Sequence, residues 1–201
     1  MSQKISDKIP IISHSLQNFV IKKLNGSKFM KEYAQENGPV DLHKLQAPPL
    51  STKAYTLAHQ SLPILCHDVA IQYENALLLV QRDKYPLKDQ YCVIGGRVKR
   101  GMSILDSLKQ KVKEECGLEL HHIQELGMAR TFWKTDPFGH DKGTDTLNIM
   151  YFARGKGKIT LDQIHSNPLL VTKEIWTSSF KKKLHPYVKE ILEKAFQAMK
   201  R

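Results

Sequence analysis

Two segments in the second half of the chain carry apolar residues at the spacing of an amphipathic helix. In the first, Ser103 is a good N-cap residue and Gly117 can supply a left-handed end, so the pattern predicts a helix over residues 104–116. In the second, the pattern predicts a helix over residues 187–199. The apolar stripes consist of Leu105, Leu108, Val112 and Cys116, and of Val188, Ile191, Leu192, Ala195 and Phe196.

Runs of apolar and β-branched residues predict a set of strands in the middle of the chain. Residues 64–72 and 76–81 flank the turn Glu74-Asn75, which indicates a hairpin, and residues 91–94 lead into Gly95 and Gly96. These strands, with one helix among them and another at the end, favour an α+β layer architecture over a doubly wound parallel sheet. Further strands are predicted at residues 128–134 and 146–153, with short ones at Ile159 and Leu161 and at residues 174–176.

The first 60 residues predict a helical extension followed by a linker. Apolar residues at helical spacing predict helices within residues 10–37, with a break at Asn25-Gly26 and a second segment over residues 27–36. The dipeptides Gly38-Pro39 and Pro48-Pro49 are typical of a linker. The predicted organisation is a helical N-terminal extension and linker over residues 1–60, and one main domain over residues 61–201.

Composition narrows the class of protein. An apolar fraction of 41% with 25% charged residues is ordinary for a globular protein, and no run approaches the roughly 20 apolar residues of a membrane helix. The N-terminus lacks the apolar core of a secretory signal, and the three cysteines have no metal-type spacing, so we expect a cytoplasmic protein that does not bind membranes. The net charge of +11 attracts polyanions. Because the basic residues are scattered, a solvated basic face is favoured over a nucleic-acid partner, which stays open.

Charged residues on the helix predicted over residues 104–116 carry the candidate chemistry. On a helical wheel, Glu115 falls at the border of the apolar stripe, Lys111 one turn before it, and Glu114 beyond Lys111. A carboxylate at a core border needs a partner. A magnesium ion shared with substrate phosphates is one such partner, since Gly95 and Gly96 let backbone approach a phosphate. An ion pair with Lys111 at i, i+4 spacing, worth a few tenths of a kcal/mol, is the other.

The run GGRVKRGMSILDSLKQKVKEECGLEL resembles the Nudix box, with six residues of the box in register, and the resemblance extends over residues 63–200. It implies a Nudix fold, in which a mixed sheet lies between helices, and a Mg²⁺ or Mn²⁺ site formed by Glu115, Glu114 and Gly96. It also implies a homodimer, since many members of the family are homodimers. The residues in register are Gly96, Val112, Glu114, Glu115, Gly117 and Leu118.

Three positions depart from the box. Met102 stands where the family has its first glutamate, Gln110 where it has arginine, and Lys111 where it has a metal-binding glutamate. Two of the expected carboxylates are therefore absent, and a positive charge replaces one of them. The box is compatible with one metal ion rather than with two or three.

Outside the box, the chain resembles the GDP-mannose mannosyl hydrolase branch of the family. Arg97 follows the two glycines, Asp68 and Arg82 match that branch's substrate-contacting residues, and Asp145 lies in a matching Gly-Thr-Asp stretch. The resemblance implies that these four residues bind a nucleoside diphosphate sugar. Arginines suit this task because they make bidentate contacts to phosphates.

In that branch, water attacks the anomeric carbon and a histidine from a late loop acts as the general base. The alignment puts Val171 at that position, and His165 and His140 lie in nearby loops as alternative candidates for the base.

The leading hypothesis is a magnesium-dependent Nudix hydrolase acting on a nucleoside diphosphate linked to another group, with a GDP-mannose-like nucleotide sugar as the expected substrate. Because Met102, Gln110 and Lys111 depart from the box, the alternative is a catalytically lapsed Nudix domain that binds a nucleotide or RNA without turnover.

Overall fold

The computed structural model describes residues 30–200, which form one seven-stranded mixed sheet with helices packed on it. The strand order is β3-β2-β1-β6-β5, with β4 paired to β1 and β7 paired to β2. The strands are β1 (Ile64–Tyr73), β2 (Ala76–Arg82), β3 (Tyr91–Cys92), β4 (Ile94–Arg97), β5 (Glu119–Trp133), β6 (Thr144–Lys156) and β7 (His165–Val171). The helices are α1 (Thr52–Ser61), α2 (Ile104–Cys116), α3 (Ser178–Lys181) and α4 (Pro186–Ala198), and a 3-10 helix covers Leu42–Leu45.

Strand β1 is the centre of the sheet. It runs parallel to β6 and antiparallel to β2 and β4, which makes the sheet mixed. Successive side chains of a strand point to opposite faces of the sheet. On one face, the ring of His67 forms a 2.9 Å hydrogen bond with Ser107 of α2, and on the other, Asp68 accepts a 2.5 Å hydrogen bond from the hydroxyl of Tyr187 in α4. The sheet therefore lies between two helices, as predicted.

Helix α2 has the predicted bounds because its ends are capped. The Ser103 side chain accepts a hydrogen bond from Asp106 N, and Gly117 has φ of 75°, the left-handed conformation that ends a helix. Leu108 and Val112 of its apolar stripe are fully buried against the sheet. On the other face α4 buries its own predicted stripe, which is Val188, Ile191, Leu192, Ala195 and Phe196.

Two predictions for the N-terminal region are wrong where the structure describes it. Residues 30–36 form no helix, and Gln35 forms an isolated β-bridge with Pro39. The helices predicted over residues 10–29 lie outside the described residues. The predicted linker contains the 3-10 helix and α1, which begins at the N-cap Ser51. The apolar pattern did not predict α1, because His59 is the one buried residue of this helix and α1 therefore has no apolar stripe.

The late strands also differ from the prediction. Residues 159 and 161 and residues 174–176 are not in strands, whereas residues 165–171, expected to include a loop, form β7 beside β2. The register between β2 and β7 shifts between Leu79 and Gln81, opposite Asn167 and Pro168. A proline is tolerated at such a bulge because it has no N–H to donate, and its presence obscured the strand.

No helix within residues 30–200 is long and apolar enough to cross a membrane.

The carboxyl group of Asp68 provides a test of this packing through its pKa. Burial between β1 and α4 raises the pKa of Asp68 to about 6 from 3.8, against the opposing effects of the Tyr187 hydrogen bond and of Arg82. Between these two values the folded state holds the proton more tightly than the unfolded state. The contribution of Asp68 to the free energy of unfolding is therefore lost as pH rises from about 4 to about 6.

We predict that Asp68→Asn abolishes the fall in the free energy of unfolding that Asp68 causes as pH rises from about 4 to about 6. The free energy of unfolding of the wild type minus that of the variant, measured by urea denaturation, should fall with rising pH across this interval. Asp145→Asn is the matched control, because its pKa is lowered by the hydrogen bond from Arg130. The stability that Asp145 contributes is lost only as pH falls below about 4, so the control difference stays flat across this interval. A difference for Asp68→Asn that is flat or rises with pH contradicts the prediction.

Candidate functional site

A cleft of about 490 Å³ opens beside the carboxyl-terminal helix and the glycine pair, Gly95 and Gly96. Its wall comes from α1, β1, β4, α2, β6 and α4 and from the segment after β2. The charged residues that line it are five cations, Arg82, Lys84, Arg97, Lys99 and Lys111, and two carboxylates, Asp68 and Glu115. This excess of positive charge makes the cleft attractive to an anionic ligand.

The glycine pair occupies β4, where it pairs directly with β1. Asp68 lies opposite Gly95, and His67 lies opposite Gly96. A Cβ on Gly95 would collide with Asp68 Oδ1 and lie 2.5 Å from the His67 carbonyl oxygen. Gly96 has φ of 149°, which side-chain-bearing residues rarely adopt. Glycine at Gly95 lets β4 lie this close to the Asp68 carboxylate, and glycine at Gly96 accommodates the positive φ.

Glu115 is 6% exposed and lines the cleft together with Lys111, whose side chain lies beside Gly96. The Lys111 ammonium lies 3.2 Å from Glu115 Oε1, which is the ion pair that helical spacing allowed. The other oxygen, Oε2, is buried and has no hydrogen-bond partner among the described residues. Burial raises the pKa of Glu115, although Lys111 and His165 act in the opposite direction. One oxygen of this buried carboxylate is therefore left without a hydrogen bond among the described residues.

Arg97 and Arg82, both predicted to bind substrate, line the cleft. The Arg97 guanidinium stacks on the ring of Tyr55 in α1, with Cζ 4.2 Å from the ring centre, which orients it without neutralising its charge. Arg82 ends β2 and donates a 3.4 Å hydrogen bond from Nε to the Lys84 carbonyl oxygen. With Asp68, three of the four predicted substrate-binding residues come together.

Asp145 lies elsewhere. It accepts hydrogen bonds of 3.0 and 2.7 Å from the Arg130 guanidinium and does not line the cleft. Its neighbours Thr144 and Thr146 do line the cleft, because alternate residues of β6 point to opposite faces.

Glu114 does not line the cleft but pairs with Lys99, which does. It accepts a 2.8 Å hydrogen bond from Lys99 Nζ and another from the Gln110 side chain, and these contacts lower its pKa. Within residues 30–200 no three histidine, cysteine or acidic side chains converge as a metal site. Of the three expected metal-binding residues, Glu115 and Gly96 line the cleft and Glu114 does not.

The two histidines predicted as candidate bases lie behind the wall of the cleft. His165 is 5% exposed, and its Nδ1 is 2.9 Å from Asp162 Oδ1. His140 forms a 2.8 Å hydrogen bond with His59, and it is His59 that lines the cleft. His59 was not among the predicted site residues, because its segment lies in the predicted linker. Its i, i+4 spacing from Tyr55 is a weak signal of a shared helical face.

Comparisons with known proteins agree with this fold. A family model described as NUDIX domain matches residues 68–178. The low-salt glycan biosynthesis protein Agl8 of Haloferax volcanii is 26% identical over 136 residues, which are 66% of this chain and 82% of that protein.

Solved structures show the same architecture at low identity. The MutT NUDIX hydrolase from Burkholderia pseudomallei superposes with a TM-score of 0.54 and 17% identity over 67% of this chain and 98% of its own. The NUDIX domain of Shewanella oneidensis NrtR, complexed with ADP ribose, gives a TM-score of 0.55 and 13% identity over 75% of this chain and 99% of its own. Since the family model spans more than half of the sequence, the chain belongs to the Nudix family.

Proposed function

We propose that the cleft binds a nucleoside diphosphate linked to a sugar and hydrolyses that linkage with the help of one divalent cation. The observation that carries this proposal is that Arg82, Arg97 and Lys111 line the same cleft as the glycine pair, with the Lys111 side chain beside Gly96. A diphosphate needs several cationic donors and a close approach of backbone, and the cleft has both.

The identity of the group beyond the diphosphate is supported by two relatives. NrtR is described in complex with ADP ribose, which is itself a nucleoside diphosphate joined to a sugar. Agl8 takes its name from glycan biosynthesis. The aromatic residues Tyr55, Phe138 and Trp133 line the cleft beside the cationic residues and offer faces on which a base or sugar can pack. We therefore propose a nucleotide sugar of the GDP-mannose type as the substrate.

The residues present fit one divalent cation. Members of the family generally use Mg²⁺ or Mn²⁺, and Mg²⁺ is commonly held by one or two carboxylates together with phosphate oxygens of the substrate. The unpartnered Oε2 of Glu115 is a suitable ligand, and Gly96 lines the same cleft. Glu114 could take part only after leaving Lys99. A bound cation would offset the negative charge that develops on the departing diphosphate.

Cationic side chains of the protein would also offset the negative charge that develops on the departing diphosphate. Arg97 and Arg82 hold and orient the phosphates, and the Lys111 ammonium adds a fixed positive charge at the glycine pair. His165 and His140 do not line the cleft, so neither contacts water bound there directly, and His140 reaches the cleft only through its hydrogen bond to His59.

A second function is favoured by one observation. Because the Lys111 ammonium lies 3.2 Å from Glu115, the site already contains a cation where relatives have a further carboxylate. A Nudix domain of this kind could hold a nucleotide sugar without turning it over.

We predict Mg²⁺-dependent release of sugar and nucleoside diphosphate from at least one member of a panel of nucleotide sugars that includes GDP-mannose. Glu115→Gln should lower this turnover by about 100-fold, because a bound metal contributes several kcal/mol to such a reaction. Glu119→Gln is the control, since Glu119 is exposed and pairs with Lys113. If the protein binds compounds of the panel but turns over none of them, the second function replaces hydrolysis. If it neither binds nor turns over any compound, both proposals are contradicted.

We predict that Arg97→Gln weakens nucleoside diphosphate binding by about 10- to 100-fold, because a charge-assisted hydrogen bond contributes about 1.5–3 kcal/mol. Isothermal titration calorimetry with GDP measures this effect. Arg154→Gln, an exposed arginine near the end of β6, is the matched control for net charge. Equal affinities of the two variants would show that Arg97 does not contact the phosphates.

A further inference from the structure

His59 is a cleft residue that comes from α1, before the first residue of the family match. It is 7% exposed and is the one buried residue of that helix. Neither the Nudix box nor the resemblance to the mannosyl hydrolase branch assigns a role to this segment. The hydrogen bonds around His59 determine which of its ring nitrogens carries a proton.

The proton positions follow from a backbone amide. Lys142 N donates a 3.1 Å hydrogen bond to His140 Nδ1, and a backbone N–H can only donate, so that His140 Nδ1 carries no proton. The proton of His140 is then on Nε2, which lies 2.8 Å from His59 Nδ1. His140 is therefore the donor in this bond and His59 Nδ1 is the acceptor. The proton of His59 is on Nε2.

The loop that holds His140 is fixed by a buried carboxylate. Asp136 is 8% exposed and accepts hydrogen bonds from the backbone N–H groups of Phe138, His140 and Asp141, at 2.8, 3.2 and 3.1 Å. These bonds hold the His140 ring against α1. The orientation of His59 is thus set by the loop between β5 and β6, and its Nδ1 is not available to a ligand.

The surroundings of His59 suit an uncharged part of a ligand. The ring of Phe138 packs against those of Tyr55 and His59, with centres 5.2 Å from each. Burial and the proximity of His140 lower the pKa of His59, so that it is neutral near neutral pH, although Asp136 acts in the opposite direction. One helical turn away, Tyr55 supports the Arg97 guanidinium. A neutral donor among aromatic rings, beside the phosphate-binding residues, matches a sugar hydroxyl better than a phosphate.

We propose that His59 is a specificity-determining residue, whose Nε2–H donates a hydrogen bond to a hydroxyl oxygen of the sugar attached to the diphosphate. This inference rests on the proposed function, since it requires a nucleotide sugar in the cleft. His140 acts as the positioning residue that keeps the His59 proton on Nε2. In this arrangement His59 cannot take a proton from water at Nε2, so it is not the general base.

The proton positions can be measured on the wild-type protein without any ligand. In a ¹⁵N NMR spectrum of the histidine rings at neutral pH, His59 should show a protonated Nε2 and an unprotonated Nδ1. The resonances are assigned by their loss in His59→Gln. A proton on Nδ1 of His59 would overturn the inference whatever the effect of substitutions.

The sugar contact is tested by comparing GDP-mannose with GDP. His59→Leu should weaken GDP-mannose binding by about 5- to 10-fold and leave GDP binding unchanged, because one neutral hydrogen bond is lost. His59→Gln keeps an N–H donor at similar reach and should retain most of the affinity for GDP-mannose. The control is His121→Leu, an exposed histidine on β5.

The outcomes separate the two proposals. If the wild type binds both compounds and His59→Leu weakens both equally or neither, the role of His59 is refuted while nucleotide binding stands. If the wild type binds neither compound, the proposed function fails and the role of His59 fails with it. Loss confined to GDP-mannose, with recovery in His59→Gln, supports the inference.

Discussion

The close pairing of β4 with β1 at Gly95 and Asp68 is the constraint on which the site depends. Because Gly95 has no side chain, the backbone of β4 can lie directly against the Asp68 carboxylate. That approach brings the start of the loop before α2 to the edge of the sheet. Arg97 then emerges from the end of β4, and Lys111 reaches Gly96 from the helix. A bulkier residue at Gly95 would separate these groups.

The balance of charge in the cleft follows from the same geometry. Two carboxylates, Asp68 and Glu115, are held where burial raises their pKa, and five cations surround them. Lys111 offsets part of the cost of burying Glu115 but satisfies only one of its oxygens. A ligand that carries negative charge and a bound cation would pair with both the cationic side chains and the carboxylates of the cleft. An incomplete Nudix box can therefore still form a cleft whose charges suit the proposed nucleotide sugar.

The sequence predicted the parts of the fold whose signals are local. The bounds of α2 follow from Ser103 and Gly117, and the β1–β2 hairpin follows from two apolar runs around a turn. The helical wheel of α2 also predicted the two possible partners of Glu115, a magnesium ion and Lys111. The roles of Asp145 and Glu114 were harder to predict, because each depends on a contact outside its own strand or helix. Asp145 pairs with Arg130, and Glu114 pairs with Lys99. His59 was missed because α1 packs through aromatic rings across 80 residues of sequence and not through an apolar stripe.

A crystal structure of the wild type with GDP and Mg²⁺ bound would show directly where the diphosphate lies. We expect the diphosphate beside Gly95 and Gly96, within hydrogen-bonding distance of the Arg97 and Arg82 guanidinium groups and near Lys111. A diphosphate bound away from the glycine pair, or arginines turned out of the cleft, would contradict it.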